Sequence, residues 1–364
     1  MGPETHLPEN QKNNNNDSRF QTGRILALSI GHFIHDVYSS FLSPLLPLLI
    51  EKLSLTLTQA GFLSTIMQLP ALLNLYIGVL ADRISVRHFV ILAPAITAVP
   101  MSLIGVAPSY GILLLLLFIT GISASIFHVP APVIIANLSA ARTGRGMSFF
   151  MTGGELARTI GPLVAVAGVS LLGLEGFYPV MIFGLLSTSW LYLKLHDVPV
   201  NNVHTKRKLS AIQTWRKLCY ILWPLTAILI SRGFMHASMS AFLPTYMNQQ
   251  TGNLWLAGMA LTLFEVAGVA GVLTAGSMSD LIGRRKTLLV SLVGAPICLF
   301  VFTLTGGWIR ITVLLVTGFT LLSTTPVMLA LVQEQGRDAP AAANGLFMMI
   351  SFIARSAVVV VVGY

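Results

Sequence analysis

Charge is scarce in this chain. Only 10% of its 364 residues are Asp, Glu, Lys or Arg, whereas 54% are apolar and the mean hydropathy is +0.78. A soluble domain carries about a quarter charged residues, so water is excluded as the main solvent. Acids are scarcest, 13 against 22 Lys and Arg. The basic residues fall in short groups between apolar runs and form no basic domain, which argues against a nucleic-acid partner. Cysteine is almost absent: Cys219 and Cys298 sit on separate apolar segments with no histidine or cysteine at ligand spacing. No disulfide framework, metal or cofactor is therefore expected. Missing too are His-Glu-x-x-His, Gly-x-Ser-x-Gly and Gly-Lys-Ser/Thr, which argues against a membrane enzyme and an ATP-driven pump. The ten-residue alternation of an outer-membrane barrel does not occur; Gly111 to Phe127 is apolar on every side. The N-terminus, with its polar run Asn13 to Asn16, lacks the order of a cleavable signal, so the first span must do the targeting.

What the chain does have is long apolar runs. Hydropathy and turn residues predict helical spans near 25–50, 59–80, 88–107, 109–137, 146–172 and 177–195, then 220–248, 254–276, 287–306, 309–333 and 341–364. The expected organisation is a disordered cytoplasmic segment 1–24, a six-helix half 25–195, a cytoplasmic linker 196–219 and a second half 220–364. Of the 22 basic residues, Arg158, Arg232 and Arg355 fall within spans and Lys52 and Arg310 on one side; all the rest fall on the other side, with the N-terminus. By the positive-inside rule the N-terminus is cytoplasmic in an inner, cytoplasmic membrane.

The chain repeats itself. Gly78-Val-Leu-Ala-Asp82 follows the second span and Gly276-Ser-Met-Ser-Asp280 the eighth, and Arg87 pairs with Arg285 and Arg158 with Arg355 at nearly the same offset. Parallel repeats place a substrate path between two like halves near the midplane. The repeat predicts a twelfth helix that the second half lacks. A carboxylate at a helix C-terminus faces the negative end of the dipole and needs an offsetting partner. Asp82 has Arg83 and Arg87 beside it, Asp280 has Arg284 and Arg285, and Gly78 and Gly276 permit close helix approach. Together they predict a pair of ionic latches.

Gly276 to Arg285 resembles the loop signature of the major facilitator superfamily, Gly-x-x-x-Asp-Arg/Lys-x-Gly-Arg/Lys-Arg/Lys, apart from Leu281. The first copy keeps Gly78, Asp82, Arg83 and Arg87 but has Ser85 and Val86 where the family has glycine and a basic residue. The resemblance implies an all-α membrane fold of two pseudo-symmetric six-helix halves, usually monomeric, in which each aspartate meets the start of a helix in the opposite half. For Asp82 that is the eleventh span, near Ala341. A closer likeness runs through Gly31 to Phe41, Ser64 to Pro70, Phe127 to Pro132 and Arg145 to Arg158. These segments resemble the fosmidomycin-resistance efflux proteins, which implies proton-driven export of a small drug.

Ionisable groups at membrane depth are functional candidates. Asp36, Glu155 and Glu265 are the candidate proton carriers; Arg158, Arg232 and Arg355, with His32, His35 and His236, suit an anionic substrate, since guanidinium forks bind phosphonate or carboxylate oxygens two at a time. Glu155 and Arg158, three apart, also read as a structural ion pair, and His128, beside Pro130, as a packing residue. The expected function is a proton-coupled antiporter exporting a small anionic drug, with a symporter or uniporter importing an organic anion as the alternative.

Overall fold

The computed structural model describes residues 20–83, 87–197, 209–252 and 254–362. They are helical almost throughout, as they must be where no water satisfies backbone N–H and C=O groups. Eleven helical spans are found among the described residues. The first half holds α1 (Thr22–Leu53), α2 (Thr58–Ala81), α3 (Arg87–Val106), α4 (Tyr110–Leu138), α5 (Thr143–Leu172) and α6 (Glu175–Leu195). The second holds α7 (Ala211–Thr251), α8 (Leu254–Ile282), α9 (Arg284–Leu304), α10 (Gly307–Gln335) and α11 (Pro340–Val362). Ten of the spans include an apolar window long enough to cross a bilayer. Large apolar side chains such as Leu193, Val290 and Phe300 stay exposed on the outside, where lipid replaces water.

Two boundaries depart from the sequence expectation. Helix α1 begins at Thr22, inside the segment 1–24. Helix α7 begins at Ala211, inside the presumed linker 196–219, because Ser210 and Gln213 form a reciprocal cap. The Ser210 N–H donates to Gln213 Oε1 at 3.0 Å and the Gln213 N–H to Ser210 Oγ at 3.4 Å. Thr214 and Leu218 then face the core, while Lys217 pairs with Asp338. The linker residues Lys206, Arg207 and Lys208, the loop residues Ser85 and Val86, and residues 1–19 lie outside the described residues.

Three of the spans are broken near their middles. Helix α1 is interrupted at Ser40–Phe41 ahead of Pro44, α4 at Val129–Pro130, and α10 at Ser323 ahead of Pro326. Proline has no N–H to offer the carbonyl four residues back. Pro132 thus frees the carbonyl of His128, and Asn344 of α11 takes it over, donating from Nδ2 at 2.8 Å to His128 O and at 2.7 Å to Val129 O.

The halves share one apolar core at the end bearing the loops after α2 and α8. It joins Ile25, Phe127, Ile134 and Met147 of the first half to Leu288, Val327, Met328 and Phe347 of the second. Towards the other end the cores separate. One, around Tyr38, Phe41, Leu63 and Phe177, has its buried residues from the first half, and another, around Met239, Phe264, Phe302 and Leu314, from the second. The core shared by the halves thus lies at the latch end, and towards the other end each half keeps its own.

Candidate functional site

Four helix turns close the fastened end. Asp82, just past the end of α2, accepts the N–H groups of Ala341 and Ala342 in the first turn of α11, Oδ1 and Oδ2 each at 2.9 Å. Asp280, in the last turn of α8, accepts those of Gly144 and Arg145 at the start of α5, at 3.0 and 2.8 Å. A carboxylate on the free N–H groups of a helix start is favoured by hydrogen bonding and by the dipole. Each pair crosses from one half to the other. Arg284 joins Asp280 at 2.6 Å and also Glu334 at 2.6 Å, whereas Arg83 and Arg285 are exposed. The glycines are needed for contact: a Cβ on Gly78 would strike the Ala341 backbone, and one on Gly276 the carbonyl of Gly144. Ser148 stitches the same crossing, donating to Val272 O at 2.6 Å and accepting from Gly276 N–H at 2.9 Å. Gly283, at φ +96, makes the sharp turn into α9. Burial pushes the Asp82 carboxyl up to about 6, against the two N–H bonds that pull it down.

Deeper in the bundle, α1 places His32, His35 and Asp36 together. Positions 32 and 36 share one face, one turn apart. Asp36 Oδ2 lies 3.1 Å from His32 Nε2, and Oδ1 lies 2.8 Å from His35 Nδ1 and 3.2 Å from His128 Nε2. His32 and His35, expected to bind substrate, are instead 2% and 0% exposed. Their rings stack on Phe150 and Phe127 respectively, with centroids 4.1 and 4.6 Å apart. His128, expected as packing, is the last residue before the break in α4, and that position swings it onto Asp36. One nitrogen each of His32 and His128 and one Asp36 oxygen lie within 4.8 Å of one another, near enough to hold a metal ion, and His35 Nδ1 shares a hydrogen bond with Asp36 Oδ1.

A second cluster bridges the halves. Glu155 of α5 is buried and paired through Oε2 with Arg158, whose side chain is half exposed; Glu155 Oε1 has no hydrogen-bond partner among the described residues. From the second half, Arg232 of α7 donates from Nε to Leu321 O at 3.2 Å, beside the break in α10. His236 lies 3.4 Å from Glu265 of α8, and Ser240 donates to the same Oε1 at 3.5 Å. Arg232 is within electrostatic reach of Glu155, Arg158, Arg355 and Glu265, and Arg158 within reach of Asp36. The structure thus brings together the membrane-depth charges of both repeats: three guanidiniums, of which Arg158 and Arg355 are exposed, and three carboxylates, with histidines beside them.

Two related bundles of membrane helices, fastened at one end and enclosing buried charge between them, define a secondary transporter. The family model described as Major Facilitator Superfamily matches residues 28–359, and the chain belongs to that superfamily, whose members are transporters and not enzymes. Among its relatives, the fosmidomycin resistance protein of Escherichia coli (strain K12) is 26% identical over 346 residues, covering 92% of this chain and 84% of that one. The multidrug resistance protein MdtG of Salmonella paratyphi C (strain RKS4594) is 26% identical over 287 residues, covering 72% and 68%. Of the solved structures, the superfamily transporter FucP in its outward conformation superposes with a TM-score of 0.73 at 16% identity over 95% of this chain and 92% of its own. The proton:xylose symporter XylE follows at 0.69, with 15% identity over 94% and 88%. At such identities the two structures share the fold alone.

Proposed function

We propose that this transporter is a proton-coupled antiporter of the cytoplasmic membrane, acting as a monomer with its N-terminus inside, that exports a small anionic antibiotic such as fosmidomycin. The observation that carries the reading is the joint placement of Asp36 among three histidines and of Glu155, Arg158, Arg232 and Arg355 between the halves. In this reading Asp36, Glu155 and Glu265 exchange protons, the arginines and His236 hold the substrate's oxygens, and 25–195 and 220–364 act as rocking halves. The resistance named for the relative above supports the substrate and the direction. With the N-terminus inside, the fastened end is cytoplasmic and the conformation is outward-open, the state in which an exporter releases drug and takes up a proton. The Asp82 and Asp280 contacts hold that state and must part before drug enters from the cytoplasm.

One observation favours a second reading. An anion that draws Arg158 away leaves Glu155 buried without its cation, and the acid then takes up a proton, so that anion and proton bind together. That is the sign of symport. A pulse of fosmidomycin onto proteoliposomes with a pH dye inside decides between them. Antiport makes the lumen alkaline as drug enters, symport makes it acid, and no movement of drug or proton sinks both.

A further inference from the structure

Helix α1 carries His32 and Asp36 four residues apart, and side chains at that spacing leave one face and can share an ion. The break in α4 brings His128 to the same place. His32 Nε2 lies 3.1 Å from one Asp36 oxygen and His128 Nε2 lies 3.2 Å from the other, yet neither approach is a hydrogen bond. Ligands of a single ion stand in that relation, close together and aimed at a common point instead of at one another. With metal–ligand distances near 2.0–2.1 Å and tetrahedral angles, such atoms are roughly 3.3 Å apart. One nitrogen of each ring and one carboxylate oxygen all lie within 4.8 Å of one another.

The surroundings hold these groups as a metal site requires. A ligating imidazole offers a lone pair from one nitrogen and is oriented by a hydrogen bond from the other. His32 Nδ1 lies 2.7 Å from the carbonyl of Phe150, which only accepts, so Nδ1 carries hydrogen and the neutral ring has its lone pair on Nε2. The Phe150 ring stacks on the same imidazole, at 4.1 Å and 20°. Asp36 is oriented in turn by His35 Nδ1, 2.8 Å from Oδ1. The His128 backbone is held by Asn344 Nδ2, 2.8 Å from its carbonyl. Gly154 leaves room for the group: a Cβ there would come within 2.7 Å of His32 Cε1 and 3.2 Å of Asp36 Oδ2. Arg158, the cation whose charge reaches Asp36, is already paired with Glu155, which leaves the Asp36 charge for an ion.

We propose that His32 Nε2, His128 Nε2 and one oxygen of Asp36 form a binding site for a divalent transition-metal ion such as zinc. Two imidazoles and one carboxylate select such an ion over magnesium and calcium, which take oxygen ligands. The Asp36 and His128 side chains are 12% and 27% exposed, so the ion has a way in and keeps a fourth position for water or an anion. The three ligands come from α1 and α4 of the first half alone, and the site stands apart from the arginines and from Glu265. Bound there, the ion clamps α1 to α4 beside the α4 break.

Two measurements on the full chain, free of any histidine tag and held in lipid nanodiscs, test this. Equilibrium dialysis against radioactive zinc should show one ion per chain that a large excess of magnesium does not displace. His32→Gln, His128→Gln and Asp36→Asn should each weaken binding by at least the tenfold that even an outer-shell change costs, while His88→Gln and His196→Gln, on exposed histidines, should leave it unchanged. X-ray absorption at the zinc edge of the wild type, which needs no variant to fold, should show two imidazole nitrogens and a carboxylate oxygen at about 2.0–2.2 Å. No bound zinc, an all-oxygen shell, or an ion lost with the surface histidines and kept by the three site variants overturns the proposal.

Discussion

Arg158 and Glu155 show why a buried charge is read by its partner. Glu155 is 5% exposed, and the Arg158 guanidinium is the cation that meets it. Removing one member of such a pair costs about 3–5 kcal/mol, because the other is left buried and unpaired. Arg158→Ala should therefore lower the thermal midpoint in detergent by several degrees, and adding Glu155→Gln should restore most of it. If the double variant melts no higher than Arg158→Ala, the pair is not what holds this part of the fold. Glu155→Gln alone should keep the fold and change the proton response of transport. The pairing of Glu155 with Arg158 was legible from their three-residue spacing. The role of His128 was not, since it reaches Asp36 across about 90 residues of sequence, and only the break at Pro130–Pro132 directs it there. Gly154 was also missed, although the doublet Gly153-Gly154 one turn after Phe150 was visible in the sequence as a site where a neighbouring group approaches the backbone closely.

Helix ends carry the two latches, and each is built from a carboxylate, two backbone donors and a glycine crossing. Two charge-assisted bonds to N–H groups, lost together, are worth roughly 2 kcal/mol net, which is about thirty-fold in an equilibrium. Asp82→Ala or Asp280→Ala should shift the population away from the closed latch by that factor, read as a change in spin-label distances between α2 and α11 or between α5 and α8. Unchanged distances would mean that apolar packing alone closes this end. Gly276→Val should open the α5–α8 crossing more severely, since the added side chain meets the Gly144 backbone. The pH dependence has a definite sign. Burial raises the Asp82 carboxyl to about 6 when latched, above the usual aspartate value of about 3.9 in water, so the latched form binds the proton more tightly. The preference for the latched form is full below the lower of these values and is lost as pH rises through the higher. Acidification from pH 8 to pH 5 should lengthen the latched lifetime, and Asp82→Asn should abolish that slope while still accepting a backbone N–H.

For the whole molecule, the separate cores at one end and the shared core at the other make accessibility one-sided. In a background with Cys219 and Cys298 replaced, His236→Cys should react with a membrane-impermeant thiol reagent from the face opposite the latches. Adding Asp82→Ala and Asp280→Ala should make the reaction appear from the latch face. Equal labelling from both faces in the latched protein would contradict a closed end.

Composition and hydropathy by themselves determined that the chain spans a membrane as helices, because low charge and long apolar runs leave no other way to satisfy the backbone. The repeat of Gly78–Asp82 and Gly276–Asp280 determined that there are two like halves, and the spacing of Asp36, Glu155, Arg158, Arg232, Glu265 and Arg355 showed which charges lie at membrane depth. The start of α7 at Ala211 was within reach of the sequence too, since Ser210-x-x-Gln213 is a local capping signal, but the lysines and arginines around it read as a loop. Only the tertiary structure decided which charge meets which: that His32, His35 and His128 all turn to Asp36, that Arg232 comes within electrostatic reach of the first half's Glu155, and that the core shared by the halves lies at one end. Local pattern is set by neighbours three or four residues away, whereas these contacts depend on how α1, α4, α5 and α7 cross, and that follows from proline breaks and glycine approaches acting over the whole bundle.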